Sequence, residues 1–403
     1  AVIGSTDGSH FFDVTDPVNT KLVDYVPGYV QGGTVSHRDY HDYRGYLYMV
    51  CDQGWSSLQI VDLSYLPDSV HVVHDSHDLL WNAHNIYIDT AKAILYSCGE
   101  RGGSGESPMA LYSLADPENP TFITTYDSTS YVHDIYVRND TAYIHALTEG
   151  LRIVDFSDTS NPVEIASLTT YPDQGLNHSG CLSEDGNIYA FADEDYGMDI
   201  KIYDVSDMNN LSLLSTFNSG VHDSSVIHNL FIHEGFIYFS NYFEGLRIFD
   251  IADPTNPVEV GYYDTYPDSD YENKFKGAWG VYPLLPSGIV LVSDMQTGLY
   301  VFDVSKAVVS TKEIEVISES EINIYPNPVI DQVTIEINSP DIQKINSVSI
   351  YDFSGKLITN EVFGNNNGST RKTITLDHMP AGLYTVKVNS DHYLGIKKLI
   401  KVN

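Results

Sequence analysis

Five histidines recur along this chain at nearly constant intervals, and they are the residues whose type and spacing could do chemistry. The intervals are 47, 49, 45, 50 and 51 residues, with a tryptophan in the sixth position; the series is His37, His84, His133, His178, His228 and Trp279. Neutral imidazole is a common metal ligand. If equivalent positions meet in space, the series predicts a ring that could hold a metal ion or another ligand.

A structural role is the competing interpretation of the same series. A histidine at the start of a strand can form a hydrogen bond to the neighbouring repeat. Recurrence in nearly every repeat favours this role, because a metal site needs only three or four ligands. The sequence leaves both interpretations open.

Acidic segments are a second candidate site. Asp193, Glu194 and Asp195 follow one another, and Asp268 and Asp270 flank a serine. Oxygen-rich loops suit Ca²⁺, although neither segment matches the twelve-residue EF-hand loop. A solvated acidic face is the alternative.

The histidines belong to a repeat of about 40 to 50 residues that contains four short apolar runs. Its third run is the easiest to follow, and it occurs at 11–14, 60–63, 111–114, 153–156, 202–205, 248–251 and 301–304. Turn residues such as Asp116-Pro117-Glu118-Asn119-Pro120 separate the runs. Repeats of four strands at this spacing are typical of β-propellers, in which each repeat forms one blade.

The number of third runs predicts seven blades over residues 1–305. The chain begins at Ala1-Val2-Ile3, which is the second strand of the first repeat. The sequence therefore predicts that the first strand of this blade lies upstream of Ala1. Six blades and an additional hairpin are the alternative.

A second domain is predicted after a polar linker at 306–320. Residues 321–403 contain about seven short alternating runs, which are typical of a small immunoglobulin-like β-sandwich. The predicted fold class is thus all-β, a seven-bladed β-propeller followed by this sandwich.

The N-terminal repeats resemble a known family. Leu-Arg-Ile-Val-Asp at 151–155 and Leu-Arg-Ile-Phe-Asp at 246–250 are similar to the LVIVD repeat, and the segment 1–14 is similar to the start of "choice-of-anchor B" proteins. The resemblance covers about residues 1–305. It implies an extracellular propeller, for a family without an agreed activity.

The C-terminal segment resembles the sorting domain of the type IX secretion system of Bacteroidota. Four features match in order: a Tyr-Pro-Asn-Pro opening, a Gly-Lys hairpin, a Gly-Leu-Tyr strand and a basic last strand, comprising Tyr325, Pro326, Asn327, Pro328, Gly355, Lys356, Gly382, Leu383, Tyr384, Lys397 and Lys398. The resemblance implies recognition by the translocon and its shuttle proteins. It also implies a secreted protein, or one attached to the outer-membrane surface.

Charge excludes several classes of partner. The formal net charge is −34, and residues 321–403 carry eight basic and eight acidic side chains. The other 13 basic and 47 acidic side chains lie in residues 1–320 and account for the whole net charge. Such a surface repels nucleic acid and anionic lipid. No apolar run is long enough to span a membrane.

The sequence favours a non-catalytic binding or adhesion module with a glycan or protein ligand at one mouth of the channel. It contains no Gly-x-Ser-x-Gly or His-Glu-x-x-His motif. A metal-dependent enzyme built on the channel histidines, or a structural subunit of an extracellular layer or filament, remain the alternatives. Ca²⁺ or a transition metal is the candidate cofactor, and whether the chain is an enzyme stays open.

Overall fold

The computed structural model describes residues 1–103, 105–267, 275–308, 315–316, 322–337, 347–351, 357–362, 371–376, 379–390 and 393–402. These residues form strands, turns and loops without a helix, so the chain is all-β as predicted. It divides into two compact units, Ala1–Val309 and Ser310–Asn403. Asp268 and Asp270, and most of the predicted linker, lie outside the described residues. Within the described part, no helical segment has the length and apolarity that crossing a bilayer requires.

The described part of the N-terminal unit contains seven successive antiparallel sheets, numbered here 1 to 7 in chain order. Sheets 1 to 3 comprise β1 (Val2–Gly4), β2 (Gly8–Asp13) and β3 (Lys21–Pro27); β4 (Arg38–Tyr43), β5 (Tyr46–Cys51), β6 (Leu58–Asp62) and β7 (His71–Ser76); and β8 (Leu80–Asn82), β9 (Asn85–Asp89), β10 (Ile94–Gly102), β11 (Gly105–Ser113) and β12 (Thr121–Tyr126).

Sheets 4 to 7 continue the same order. They comprise β13 (Asp134–Arg138), β14 (Thr141–His145), β15 (Leu151–Asp155) and β16 (Val163–Leu168); β17 (Asn177–Leu182), β18 (Ile188–Asp193), β19 (Ile200–Asp204) and β20 (Ser212–Phe217); β21 (Leu230–His233), β22 (Phe236–Ser240), β23 (Leu246–Asp250) and β24 (Val258–Tyr263); and β25 (Ala278–Tyr282), β26 (Ile289–Asp294) and β27 (Gly298–Asp303).

The sheets share one geometry because the repeats share one pattern. The last two strands of each of sheets 1 to 6 shift register at the equivalent step, for example between Ile153 and Val154 in sheet 4 and between Ile248 and Phe249 in sheet 6. An extra residue at this step bends and twists the outermost strand. Each sheet is therefore twisted in the same way and can stack on the next.

The core lies between successive sheets. Tyr96 and Leu111 of sheet 3, for example, share a buried cluster with Ile135 and Val154 of sheet 4. Because both faces of a sheet are covered, the second and third strands are buried almost throughout rather than at alternate residues. Burial of each large aliphatic side chain contributes about 1.5–3 kcal/mol.

The described residues of the C-terminal unit form two sheets that enclose one core. One sheet has the order β28 (Glu315–Val316), β35 (Tyr393–Lys401), β34 (Gly382–Ser390), β31 (Ser347–Tyr351) and β32 (Leu357–Val362), and the other is β29 (Ile322–Tyr325), β30 (Gln332–Ile337) and β33 (Arg371–Thr375). Ile324, Val333 and Ile335 from the smaller sheet share the core with Ile350 and Val386 from the larger one.

Candidate functional site

The six predicted ring positions meet in space. Consecutive side-chain rings from His37 to Trp279 are separated by centroid distances of 4.4, 4.0, 4.2, 4.5 and 4.2 Å. Trp279 and His37 close the circle at 5.7 Å. We call these six residues the histidine ring. Sheet 1 contributes no residue to it among the described residues.

One strand in each of sheets 2 to 7 positions the ring, namely β4, β9, β13, β17, β21 and β25. His37, His84 and His133 directly precede β4, β9 and β13, and His178 and Trp279 are the second residues of β17 and β25. Three residues further along, larger side chains fill the space between sheets; Tyr87 and Tyr136, for example, lie 5.5 Å apart. This short, tightly packed strand thus fixes each imidazole.

Burial keeps these imidazoles neutral. It lowers the pKa of His37, His133 and His178 well below the usual value, and the neighbouring histidines lower it further. Burial also lowers the pKa of His228 to about 3. Near pH 7 each of these rings therefore has one nitrogen with a free lone pair, which is the form that binds metal ions.

The members of the ring differ in their hydrogen bonds. His228 Nδ1 donates to the carbonyl oxygen of Trp279 at 2.6 Å, as the structural interpretation predicts for a bond to the next repeat. His178 is only 2% exposed, and neither of its nitrogens forms a hydrogen bond within the described residues. Nδ1 of His37 and Nδ1 of His133 are likewise unpaired there.

Two carboxylates complete two groups of three. His37, Asp52 and His84 form one group, and His133, His178 and Glu194 form the other; within each, one ligand atom from every residue lies within 4.8 Å of the others. His84 Nδ1 lies 3.3 Å from Asp52 Oδ2, and His178 Nε2 lies 3.4 Å from Glu194 Oε2. Two imidazoles and one carboxylate form a ligand set for Zn²⁺ or Fe²⁺.

The acidic segment proposed for Ca²⁺ is divided among different partners. Asp193 is buried and accepts hydrogen bonds from Lys201 Nζ at 2.6 Å and Tyr171 Oη at 2.8 Å. Glu194 accepts a hydrogen bond from the Tyr242 hydroxyl and faces the ring. Asp195 accepts one from the Tyr196 amide. The three carboxylates thus have three separate environments.

An aromatic shelf lies at the edge of sheets 2 and 3 where their first strands begin. We define it as Tyr29, Trp55, His77 and Trp81. The indoles of Trp55 and Trp81 stack at 4.5 Å with an interplanar angle of 18°. Trp55 and Tyr29 both make edge contacts with His77, and they are 54% and 50% exposed.

A polar cavity of about 300 Å³ lies beside the ring and the shelf. Asp52, which contacts His84 of the ring, lines it, as does Asn82, which follows Trp81 in β8. Glu100 and Arg101 also line it. Burial raises the pKa of Glu100 to about 7, although Tyr112 Oη donates to Glu100 Oε1 at 2.5 Å.

Sequence reasoning missed Asp52, Trp55 and Trp81, and it assigned Glu194 to an acidic loop for Ca²⁺ rather than to the ring. Asp52 and Glu194 occupy the same place in their repeats, directly after the second strands β5 and β18. An acidic residue at this offset is therefore the signal that could have located both ring carboxylates. Nothing in the spacing of Trp55 and Trp81 indicates that they stack.

The sorting-motif residues described by the structure belong to three strands and one turn. Asn327 joins the opening segment to the last strand: its Nδ2 donates to the Lys398 carbonyl and its Oδ1 accepts from the Ile400 amide, both at 2.9 Å. Lys397 Nζ donates to the Ile322 carbonyl at 2.8 Å. Gly382, Leu383 and Tyr384 begin β34. Gly355 and Lys356 lie outside the described residues.

Comparison with protein families finds matches in both parts of the chain. Residues 130–170 and 228–265 match the LVIVD repeat, and residues 323–402 match the secretion system C-terminal sorting domain. The resemblances to the LVIVD repeat and to the sorting domain are therefore confirmed, and the sorting domain indicates secretion by the type IX system to the cell surface or the extracellular space. No curated protein sequence matches the chain.

Solved structures show the fold. A periplasmic gluconolactonase of Pseudomonas aeruginosa, PpgL, superposes with a TM-score of 0.55 at 12% identity over 92% of this chain and 96% of that one. A putative 6-phosphogluconolactonase from Bacteroides uniformis gives 0.53 at 11% identity over 92% and 96%. PorZ of the Porphyromonas gingivalis type IX system gives 0.46 at 11% identity, over the whole chain and 59% of PorZ. The N-terminal unit has a β-propeller fold.

Proposed function

We propose that this chain is a secreted binding module without catalytic activity, and that it adheres to neutral glycans through the aromatic shelf. One observation carries the proposal: the exposed indole of Trp55 stacks on the partly buried indole of Trp81 at the edge of the propeller where the first strands begin. We further propose seven blades, one for each sheet, and an immunoglobulin-like C-terminal unit that engages the type IX translocon and its shuttle proteins.

The chemistry of the shelf suits a neutral sugar. The C–H face of a pyranose is apolar and flat, so it can pack on an indole while the hydroxyl groups at its edge remain free for hydrogen bonds. Contiguous apolar patches at the surface are candidates for contact with a partner, and the four rings of the shelf form such a group. The strongly acidic surface disfavours anionic glycans.

Polar groups for the hydroxyls lie next to the shelf. The cavity lined by Asn82 and Arg101 begins one residue after Trp81, and Ser107 and Ser130 also line it. Aromatic stacking with a few polar groups at its side is the usual composition of a small-ligand site.

Binding to neutral oligosaccharides tests this proposal. The full chain is titrated with hexasaccharides of glucan, mannan, xylan and galactan while tryptophan fluorescence is recorded. We expect at least one to bind, and Trp55→Ala to weaken its binding about tenfold or more, as the loss of a central aromatic contact does.

Tyr65→Ala is the matched control. Tyr65 is 52% exposed and lies between β6 and β7, at the opposite edge of the same sheet from Trp55. It should leave binding unchanged. Absence of binding to every hexasaccharide, or equal losses in the two variants, would contradict the proposal.

A further inference from the structure

We infer that His133, His178 and Glu194 form a binding site for one divalent transition-metal ion on the channel side of sheets 4 and 5. This site is separate from the aromatic shelf and does not depend on glycan binding. Only two of the five ring histidines take part in it, so the histidines of the ring do not all have the same role.

His178 is buried, but its two ring nitrogens have no hydrogen-bond partner among the described residues. The residue is 2% exposed. Buried polar atoms in proteins nearly always have a partner, because leaving one without a partner costs free energy. His228 shows that a ring histidine of this fold can satisfy such a nitrogen with a carbonyl oxygen. His178 instead directs Nε2 toward the Glu194 carboxylate, at a distance of 3.4 Å.

The ligand atoms of the three residues also converge. One ligand atom from each of His133, His178 and Glu194 lies within 4.8 Å of the others. The planes of the two imidazoles are tilted by 47°, so their nitrogens can turn toward one point. Ligand distances of about 2.0–2.2 Å to Zn²⁺ require only a small inward movement of these three side chains.

The Glu194 carboxylate is held in place by a second hydrogen bond. The Tyr242 hydroxyl donates a hydrogen bond to Glu194 Oε1, which leaves Oε2 directed toward His178. Carboxylates that bind metals are commonly held in this way by a second hydrogen bond. The Glu194 side chain is 19% exposed, so the site can be reached from solvent.

The other group on the ring is less suited to one ion. The rings of His37 and His84 are stacked nearly parallel, at 14°, whereas those of His133 and His178 are tilted by 47°. Asp52 Oδ2, the oxygen that faces His84, already accepts a hydrogen bond from Gln53 at 2.9 Å. This group therefore provides a matched control of the same residue types.

Zn²⁺ is the probe for the test. The untagged full chain, freed of metal by a chelator, is titrated with Zn²⁺ in competition with a chromogenic chelator, and with Co²⁺ while the visible spectrum is recorded. We expect one equivalent of Zn²⁺, a Co²⁺ absorption typical of low coordination number, and a Zn²⁺-dependent rise in the unfolding temperature. Mg²⁺ should not produce this rise.

Three variants decide where the ion binds. His178→Phe and Glu194→Gln should weaken Zn²⁺ binding at least tenfold and remove the rise in unfolding temperature, whereas Asp52→Asn should change neither. Because His178→Phe replaces a buried ring by one of similar size, its near-ultraviolet circular dichroism should show a native fold. Absence of Zn²⁺ binding to the unaltered chain, binding unchanged in folded His178→Phe, or loss in Asp52→Asn with retention in His178→Phe would overturn the inference.

Discussion

Asp193 and Glu194 are neighbours in sequence, but they serve two regions of sheet 5 that differ in how their polar groups are satisfied. Asp193 lies inside the sheet, where Lys201 and Tyr171 bind its carboxylate and both charged groups are fully buried. Glu194 faces the ring beside His178, whose nitrogens are unpaired within the described residues. The first region stabilises the fold, whereas the second has capacity left for a ligand.

The largest effect on stability is expected when the buried contacts of Asp193 are broken. Lys201→Met leaves the Asp193 carboxylate buried without its counter-ion, and the free energy of unfolding should fall by about 3–5 kcal/mol. Chemical denaturation measures this change.

The double variant Lys201→Met/Asp193→Leu is the control. It removes both charges and should recover much of the loss. If the free energy of unfolding of Lys201→Met fell by less than about 1 kcal/mol, the contacts of Asp193 with Lys201 would not stabilise the fold, and the contrast with Glu194 would not hold.

Glu100 is an intermediate case, because Tyr112 binds one of its oxygens and the other has no partner within the described residues. Its pKa in the folded chain is about 7, against an ordinary value of 4.5, so the folded state binds the proton more tightly than the unfolded state does. The contribution of Glu100 to stability is therefore fully present below about pH 4.5 and is lost as the pH rises through 7.

Glu100→Gln should remove this dependence. A glutamine resembles the protonated acid, so at pH 8.5 the variant should be more stable than the unaltered chain by about 3 kcal/mol, and near pH 4.5 the two should be alike. Denaturant titrations at both pH values measure the difference. If the stabilities of the two chains changed with pH in parallel, Glu100 would not be the group with the raised pKa.

The smallest effect compares two members of the ring directly, without metal. His228→Phe removes the hydrogen bond to the Trp279 carbonyl and should reduce the free energy of unfolding by about 1 kcal/mol. His178→Phe removes an imidazole without such a bond, so stability should be unchanged or higher. Thermal unfolding of the two variants after chelator treatment measures this; equal losses would mean that both histidines are structural.

The positions of the ring were predictable because they depend on periodicity. A repeat fixes which residues are equivalent, and equivalent residues of stacked sheets meet at one level, so His37 and Trp279 could be placed together from sequence alone. The strand order within each repeat follows equally well from turn residues such as Asp116 and Asn119, which hydrogen-bond to each other at 3.0 Å.

The partners of the ring were not predictable in the same way. Glu194 was identified as part of an acidic loop. The direction in which each carboxylate at the end of this strand faces depends on local twist, and this direction separates Glu194 from Asp193. The stacking of Trp55 on Trp81 depends on how two loops from different sheets approach each other, and no spacing in the sequence encodes that distance.

Asn327 gives the C-terminal unit a property that concerns timing. Both of its hydrogen bonds reach the last strand, to residues 71 and 73 positions further along the chain. The Tyr-Pro-Asn-Pro segment therefore adopts this arrangement only after the chain as far as Ile400 has left the ribosome. A chain that stops before this strand would lack the arrangement, so recognition of the folded unit would exclude such truncated chains from export.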